Sequence, residues 1–191
     1  MTSWSDLSTR SSGYKILAND WNALVDGLNL ANSGTTSVGR PAVMATDTST
    51  TAIATGTWTL MTFASEEYDT ASMHSVSAST SRLVAPSSGG AGLYHVTGSV
   101  ALDQNSGASK SCGLMLRKNA AGSSTGGTLI TQSGTMLSSN GVFISIASLS
   151  THVRLSASDY LELFVWHDKG SNLDLKGATM THRFGMYWVT A

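Results

Sequence analysis

The chain has 191 residues, enough for one ordinary domain with a small appendage and a sizeable core. Only 12% of them are charged and the formal net charge is −1, which excludes the electrostatic footprint of a nucleic-acid binder, an acidic-membrane binder or a protein that captures a strongly charged substrate. Abundant Ser and Thr, 19 Gly and only 2 Pro are the mixture of exposed strands and turns rather than of helices, and hydroxyls rather than charges must keep the chain in solution.

The opening "MTSWSDLSTR" has no basic n-region and no apolar h-region. No apolar run approaches the ~20 residues that span a bilayer. The expectation is a chain made in a cytoplasm, soluble, and not inserted in a membrane. Residues 14 to 31, "YKILANDWNALVDGLNLA", place Trp21, Leu24, Val25 and Leu28 at i, i+3, i+4 and i+7, one stripe of a helix. Asn19 or Asp20 can cap it by accepting from free N–H groups of the first turn. "NSGTTSVGRP" ends it with polar, Gly-containing linker chemistry and a proline. Isolated helices of about three turns are marginal in water, so the stripe needs a partner: its own domain, symmetry mates or another protein. The linker favours a separate arm over residues 1–40 that anchors the protein. The segment also resembles N-termini of tailed-bacteriophage structural proteins with an Ile-x-Ala-x-Asp-Trp-Asn-x-Leu pattern, matched here by Ile16, Ala18, Asp20, Trp21, Asn22 and Leu24.

From residue 41 onward the chain reads as strands and turns. Candidate strands are "PAVMAT", "TWTLMTF", "SRLVAP", "GLYHVTGSVAL", "SCGLMLRKN", "GTLITQSG", "NGVFISIASLSTHVRL", "DYLELFVWHD", "NLDL" and "HRFGMYWV". Turn chemistry such as "PSSGGAG" and "NAAGSSTGG" lies between them. About ten short strands without helical period imply antiparallel pairing in an all-β sandwich or barrel. The single cysteine, Cys112, rules out an intramolecular disulfide and sits among apolar alternation as a small buried hydrophobe.

Residues 41–191 resemble the complement globular-head domain, a relative of the tumour necrosis factor jelly roll. Phe63, Tyr68, Asp69, Pro86, Gly92 and Tyr94 stand at the family's positions, "LMLRKNAAG" is similar to its strand ending in Lys-Asn and a glycine turn, and "LSASDYLELFV" to its Leu-x-x-Gly-Asp strand. Ser158 replaces that motif's usual Gly, so a less tight turn is expected there. The resemblance implies a homotrimer whose inner sheets meet around a three-fold axis. The residues lead to a similar expectation. In "YLELFVW", Leu161, Leu163 and Val165 fill one face of a strand, while Tyr160, Phe164 and Trp166 crowd the other. "FGMYWV" is apolar on both faces as well, and the jelly-roll resemblance would put these two strands in one sheet. Burying an aromatic is worth roughly 1.5–3 kcal/mol, so the second face needs a cover, either a loop of the same chain or another subunit. Tyr160, Phe164, Trp166 and Tyr187 are the candidate trimer-interface residues.

Chemistry is not legible. The five histidines, His74, His95, His152, His167 and His182, are scattered without metal-ligand spacing. Glu66 and Glu67 are neighbours in an expected loop, and no nucleophile elbow or phosphate loop appears. Some relatives hold calcium near the trimer apex, which would make Asp103 or Asp168 a ligand, but no Asp-x-Asp-x-Asp ladder accompanies them. The expectation is no enzyme and no cofactor. Two functions fit. One is a homotrimeric virion protein, assembled in the host cytoplasm, that decorates the capsid exterior as a head decoration protein or short head fibre, with the major capsid protein or another virion protein as partner. The alternative is the receptor- or glycan-binding tip of a tail fibre.

Overall fold

The computed structural model describes residues 40–103, 110–137 and 144–191; the stripe of Trp21, Leu24, Val25 and Leu28 lies outside the described residues. Among the described residues every regular element is a strand. In chain order these are β1 (Ala42–Asp47), β2 (Ala52–Ile53), β3 (Thr59–Leu60), β4 (Ser65–Asp69), β5 (Arg82–Val84), β6 (Gly92–Leu102), β7 (Ser111–Lys118), β8 (Thr128–Met136), β9 (Ser145–Leu155), β10 (Tyr160–His167), β11 (Leu173–Asp174) and β12 (His182–Thr190). Sheet I has the order β4-β1-β12-β6-β9. Sheet II has the order β3-β10-β7-β8, with β5 beside β3 on the same edge of β10. The short pair β2–β11 closes one end. All pairings are antiparallel.

Period-two alternation decides which residues enter the core. Along β6, Tyr94, Val96, Gly98 and Val100 are buried while Leu93, His95, Thr97 and Ser99 face outward. Tyr94, Val96, Val43 and Phe184 of sheet I meet Leu114, Leu116, Leu161, Leu163 and Val165 of sheet II in one continuous core. Phe63 joins it 5.6 Å from the Phe184 ring, tilted by 36°. Gly98 marks where the layers come closest: a Cβ there would lie 3.1 Å from a δ-carbon of Leu163. A larger residue would push the sheets apart or displace that leucine.

Three expectations are corrected. First, β10 and β12 belong to different sheets, because β10 is bonded to β7, β3 and β5, whereas β12 is bonded to β1 and β6. Second, "SEEYD", including Glu66 and Glu67, is not a loop but strand β4 along the edge of β1. Third, the turn before β10 is tight despite its serine. Ser158 adopts φ 66°, the left-handed conformation that glycine takes without penalty. Its N–H donates to Ala85 O at 3.1 Å, and the Ser156 N–H donates to Asp159 Oδ2 at 2.8 Å. Asp159 also accepts from Asn119 Nδ2 at 2.7 Å. Chiefly that bond, with the Ser156 N–H and Lys118 beside it, holds the Asp159 carboxyl below its ordinary range.

Candidate functional site

The crowded second face of β10 is covered from within the chain. Phe164 is only 1% exposed and clusters with Met115 and Ala120, while Trp58 and Leu60 pack over them. The segment that carries Trp58 and Leu60 is pinned at both ends: the Gly56 N–H donates to His167 O at 2.7 Å and the Met61 N–H to Leu163 O at 2.9 Å. Phe164 therefore offers no ring to a neighbouring subunit. Glu162, on the same face, is fully buried beside it. Its carboxylate accepts from Arg82 Nε at 3.0 Å, Ser81 Oγ at 3.4 Å and the Gly122 N–H at 2.9 Å, tying β5 and the β7–β8 turn to β10. The Arg82 guanidinium in turn lies 4.2 Å from the Tyr160 ring centroid. Trp166 remains half-buried, 6.1 Å from Trp58.

Tyr187 lies elsewhere, on the outward face of sheet I, so the four aromatics expected at one interface occupy two opposite layers. Direct cross-strand partners share a face of a sheet. Tyr187, His95 and His152 are such partners across β12, β6 and β9, and so are Tyr68, Met44 and Gly185 across β4, β1 and β12. The His95 ring sits 5.0 Å from Tyr187 and 4.9 Å from His152, edge-on to the latter. Its Nε2 is 2.9 Å from Ser150 Oγ. Its Nδ1 is buried without a hydrogen-bond partner, a state that buried polar atoms in folded proteins seldom keep. Around these rings lie hydroxyls, namely Thr97, Ser99, Ser148 and Ser150. Tyr187, Tyr68 and Ile146 are 48%, 45% and 44% exposed. Two arginines project from this face as well: Arg183 of the central strand β12, which pairs with Glu67 at 2.7 Å, and Arg154 of the edge strand β9. The result is an apolar and hydroxylic face five strands wide.

The remaining histidines hold loops. His182 Nδ1 accepts from the Ala101 N–H at 3.2 Å while Nε2 faces Ser49 O at 3.2 Å; burial pushes its pKa below the ordinary histidine value. His167 Nδ1 accepts from the Lys169 N–H, and its Nε2 is 3.0 Å from Ile53 O. His74 meets Glu66 Oε1 at 2.8 Å and Thr80 O at 3.1 Å. With both ring nitrogens occupied and no nucleophile attached, the His74–Glu66 pair is a clamp rather than a proton relay. Asp168 accepts from the Ser111 N–H at 2.6 Å, and Asp103 pairs with Lys176 at 3.1 Å. Among the described residues no group of three or more His, Cys, Asp or Glu could hold a metal. Cys112 is buried, and burial together with the nearby Asp168 pushes its thiol pKa up to about 11, the opposite of what a nucleophile needs.

No protein-family model matches this sequence, and no curated protein matches it either. The fold has solved counterparts. Murine APRIL superimposes with a TM-score of 0.51 at 8% identity, over 79% of this chain and 100% of that one. The globular domain of zebrafish complement 1qA protein superimposes with a TM-score of 0.50 at 11% identity, over 79% and 98%. At such identities the likeness concerns the fold, and it makes the sandwich a jelly roll of the tumour necrosis factor and complement globular-head type.

Proposed function

We propose that this chain is a non-catalytic structural module that self-associates through the outward face of sheet I, as a homotrimer, and decorates the exterior of a bacteriophage capsid through its N-terminal arm. One observation carries the self-association: the five-strand face with Tyr68, Tyr187, Met44 and Ile146 outward, on which the one central charge, Arg183, is paired with Glu67. Contiguous exposed apolar surface on a small domain marks an interaction site. Three copies is the number that the resemblance to the complement globular-head family implies. The virion setting is supported by the arm sequence from Ile16 to Leu24. In this arrangement sheet II faces away from the axis and is left for partners such as the capsid protein or a host glycan.

Sedimentation and light scattering of the purified chain at micromolar concentration are expected to give a trimer mass. Tyr187→Glu is expected to give monomers, because it sets like charges in an apolar contact. A wild-type monomer, or a trimer indifferent to Tyr187→Glu, removes the assembly reading. Deleting residues 1–38 is expected to leave the trimer intact and abolish particle attachment. Electron microscopy should count hundreds of copies per particle; a handful per particle would indicate a tail location instead.

A further inference from the structure

The outer face of sheet II carries a depression of about 270 Å³ bordered by Trp58, Trp166, Ser111, Gly113, Gln132 and Gly134. Its floor follows from strand register. Trp166 of β10 pairs with Gly113 of β7, and Gly113 pairs with Gly134 of β8. Beside the Trp166 ring, two successive strands therefore present bare backbone. Strands lie about 4.8 Å apart, so the uncovered strip is about 10 Å wide, the width of a single sugar-sized ring.

The walls are an indole pair tilted by 34° with centroids 6.1 Å apart. Both tryptophans are only partly buried, and neither indole N–H has a hydrogen-bond partner among the described residues. The Gln132 side-chain amide points its nitrogen at Met115 Sδ, 3.3 Å away; a thioether is a weak acceptor, so the amide's main hydrogen-bonding capacity is unspent. None of the lining residues carries a charge.

We propose that this depression binds a neutral pyranose unit of a glycan. A pyranose presents a C–H face and a rim of hydroxyls, and the site offers the complement of each. The indole faces take the C–H surface. Two indole N–H groups, the Gln132 amide and the Ser111 hydroxyl surround it with donors and acceptors, the sparse polar set on an aromatic lining that small-ligand sites use. The neighbouring Arg117 guanidinium is turned to Gly126 O at 2.6 Å and Met115 Sδ at 3.7 Å, so no lining charge recruits phosphorylated or carboxylated sugars. Because the depression is built within one chain, on the sheet opposite the self-association face, it stays open whether or not the chain is assembled.

The test uses the full chain with cellobiose, lactose, mannotriose and chitotriose at millimolar concentration. Binding is read by the indole N–H signals of its five tryptophans in a ¹⁵N-resolved spectrum and by tryptophan fluorescence. At least one of these neutral sugars is expected to shift two indole signals, those lost in Trp58→Ala and Trp166→Ala, and each variant should weaken binding at least tenfold. Gly134→Val is the decisive variant. A Cβ there would come no nearer than 3.7 Å to Cys112 O, an ordinary contact, so the strand can accept it while the trough is filled. It should melt and sediment as wild type yet lose binding at least tenfold. If none of the four sugars moves an indole signal, or if Gly134→Val binds as wild type, the proposal is overturned; binding of a peptide or an acidic sugar in place of the neutral ones overturns it too. A monomer that binds sugar would sink the assembly reading and leave this one standing, and a trimer that binds none would do the reverse.

Discussion

Phe164→Ala decides between the two ways in which the crowded face of β10 could be covered. The ring is 1% exposed within a single chain, against Met115, Ala120, Trp58 and Leu60. Truncating a buried Phe costs about 3–5 kcal/mol through lost transfer energy and the cavity left behind. Trp58 and Leu60 are themselves only partly buried, Leu60 on the two-residue strand β3 and Trp58 just before it, so they can sink into the space, and the lower end, about 3 kcal/mol, is expected. For a domain of this size that is roughly 6–12 °C in Tm. The assay is thermal and denaturant unfolding of wild type and variant at one matched protein concentration, since association adds a concentration-dependent term. Light scattering on the same samples reports the oligomeric state. The double variant with Trp58→Ala should lose less than the sum of the two singles, because the rings share one small cluster. A loss below about 1 kcal/mol, or dissociation without any loss of chain stability, would mean that another subunit, not Trp58 and Leu60, covers the ring.

Ser158→Gly should raise stability by about 0.5–1 kcal/mol, since it removes a side chain from a left-handed residue at φ 66°; a lower midpoint in urea would show that the serine makes a compensating contact. His182 is held neutral, with its pKa below the ordinary value of 6.5, mainly by burial. Below pH 6.5 the unfolded chain therefore takes up this proton before the folded one does, so His182 supplies stability above that pH that is lost as the pH falls toward the folded value. In His182→Asn that share of the acid slope should vanish; an unchanged slope between pH 7 and 5 assigns it to other groups. Cys112, buried with its thiol pushed up to about 11, should resist a thiol-reactive disulfide reagent at pH 8 in native buffer and react fully in denaturant. Fast native labelling would show that the core opens around it.

Much of the fold was legible where alternation is strong. "GLYHVTGSVAL" coincides with β6, the runs read for β7, β9 and β10 contain those strands, and "HRFGMYWV" stops one residue short of the end of β12. The rest depends on long-range partners. "SEEYD" has no apolar alternation, and only its bonding to β1 makes it a strand. Strand order is equally non-local, which is why β10 and β12 could be read as sheet mates. Of the candidate site, the outward aspect of Tyr187 follows from the period of two beside Phe184 and Met186. That Trp58 closes over Phe164 does not, because a residue more than a hundred positions away leaves no mark on the local pattern. A trace of the Trp166 depression was present in the sequence as Gly113 and Gly134, two glycines interrupting strands, where missing side chains signal a close approach or a guest. The arm, with Trp21, Leu24, Val25 and Leu28, lies outside the described residues.

The position of β12 has a consequence for how the molecule is made. It is the last of the described strands in chain order, yet it lies in the middle of sheet I, bonded to β1 on one side and β6 on the other. Until it has been synthesised, β4–β1 and β6–β9 are two separate ribbons, each with an open hydrogen-bonding edge toward the missing strand. Contacts this distant in sequence make for slow folding, and open edges recruit the edges of other nascent chains. Sheet I therefore closes only after β12 emerges, and a nascent chain stalled anywhere before His182 should be held by chaperones or aggregate. Where many copies are made side by side, the interval between synthesis of β6 and synthesis of β12 sets how long each one is exposed to pairing with the wrong neighbour.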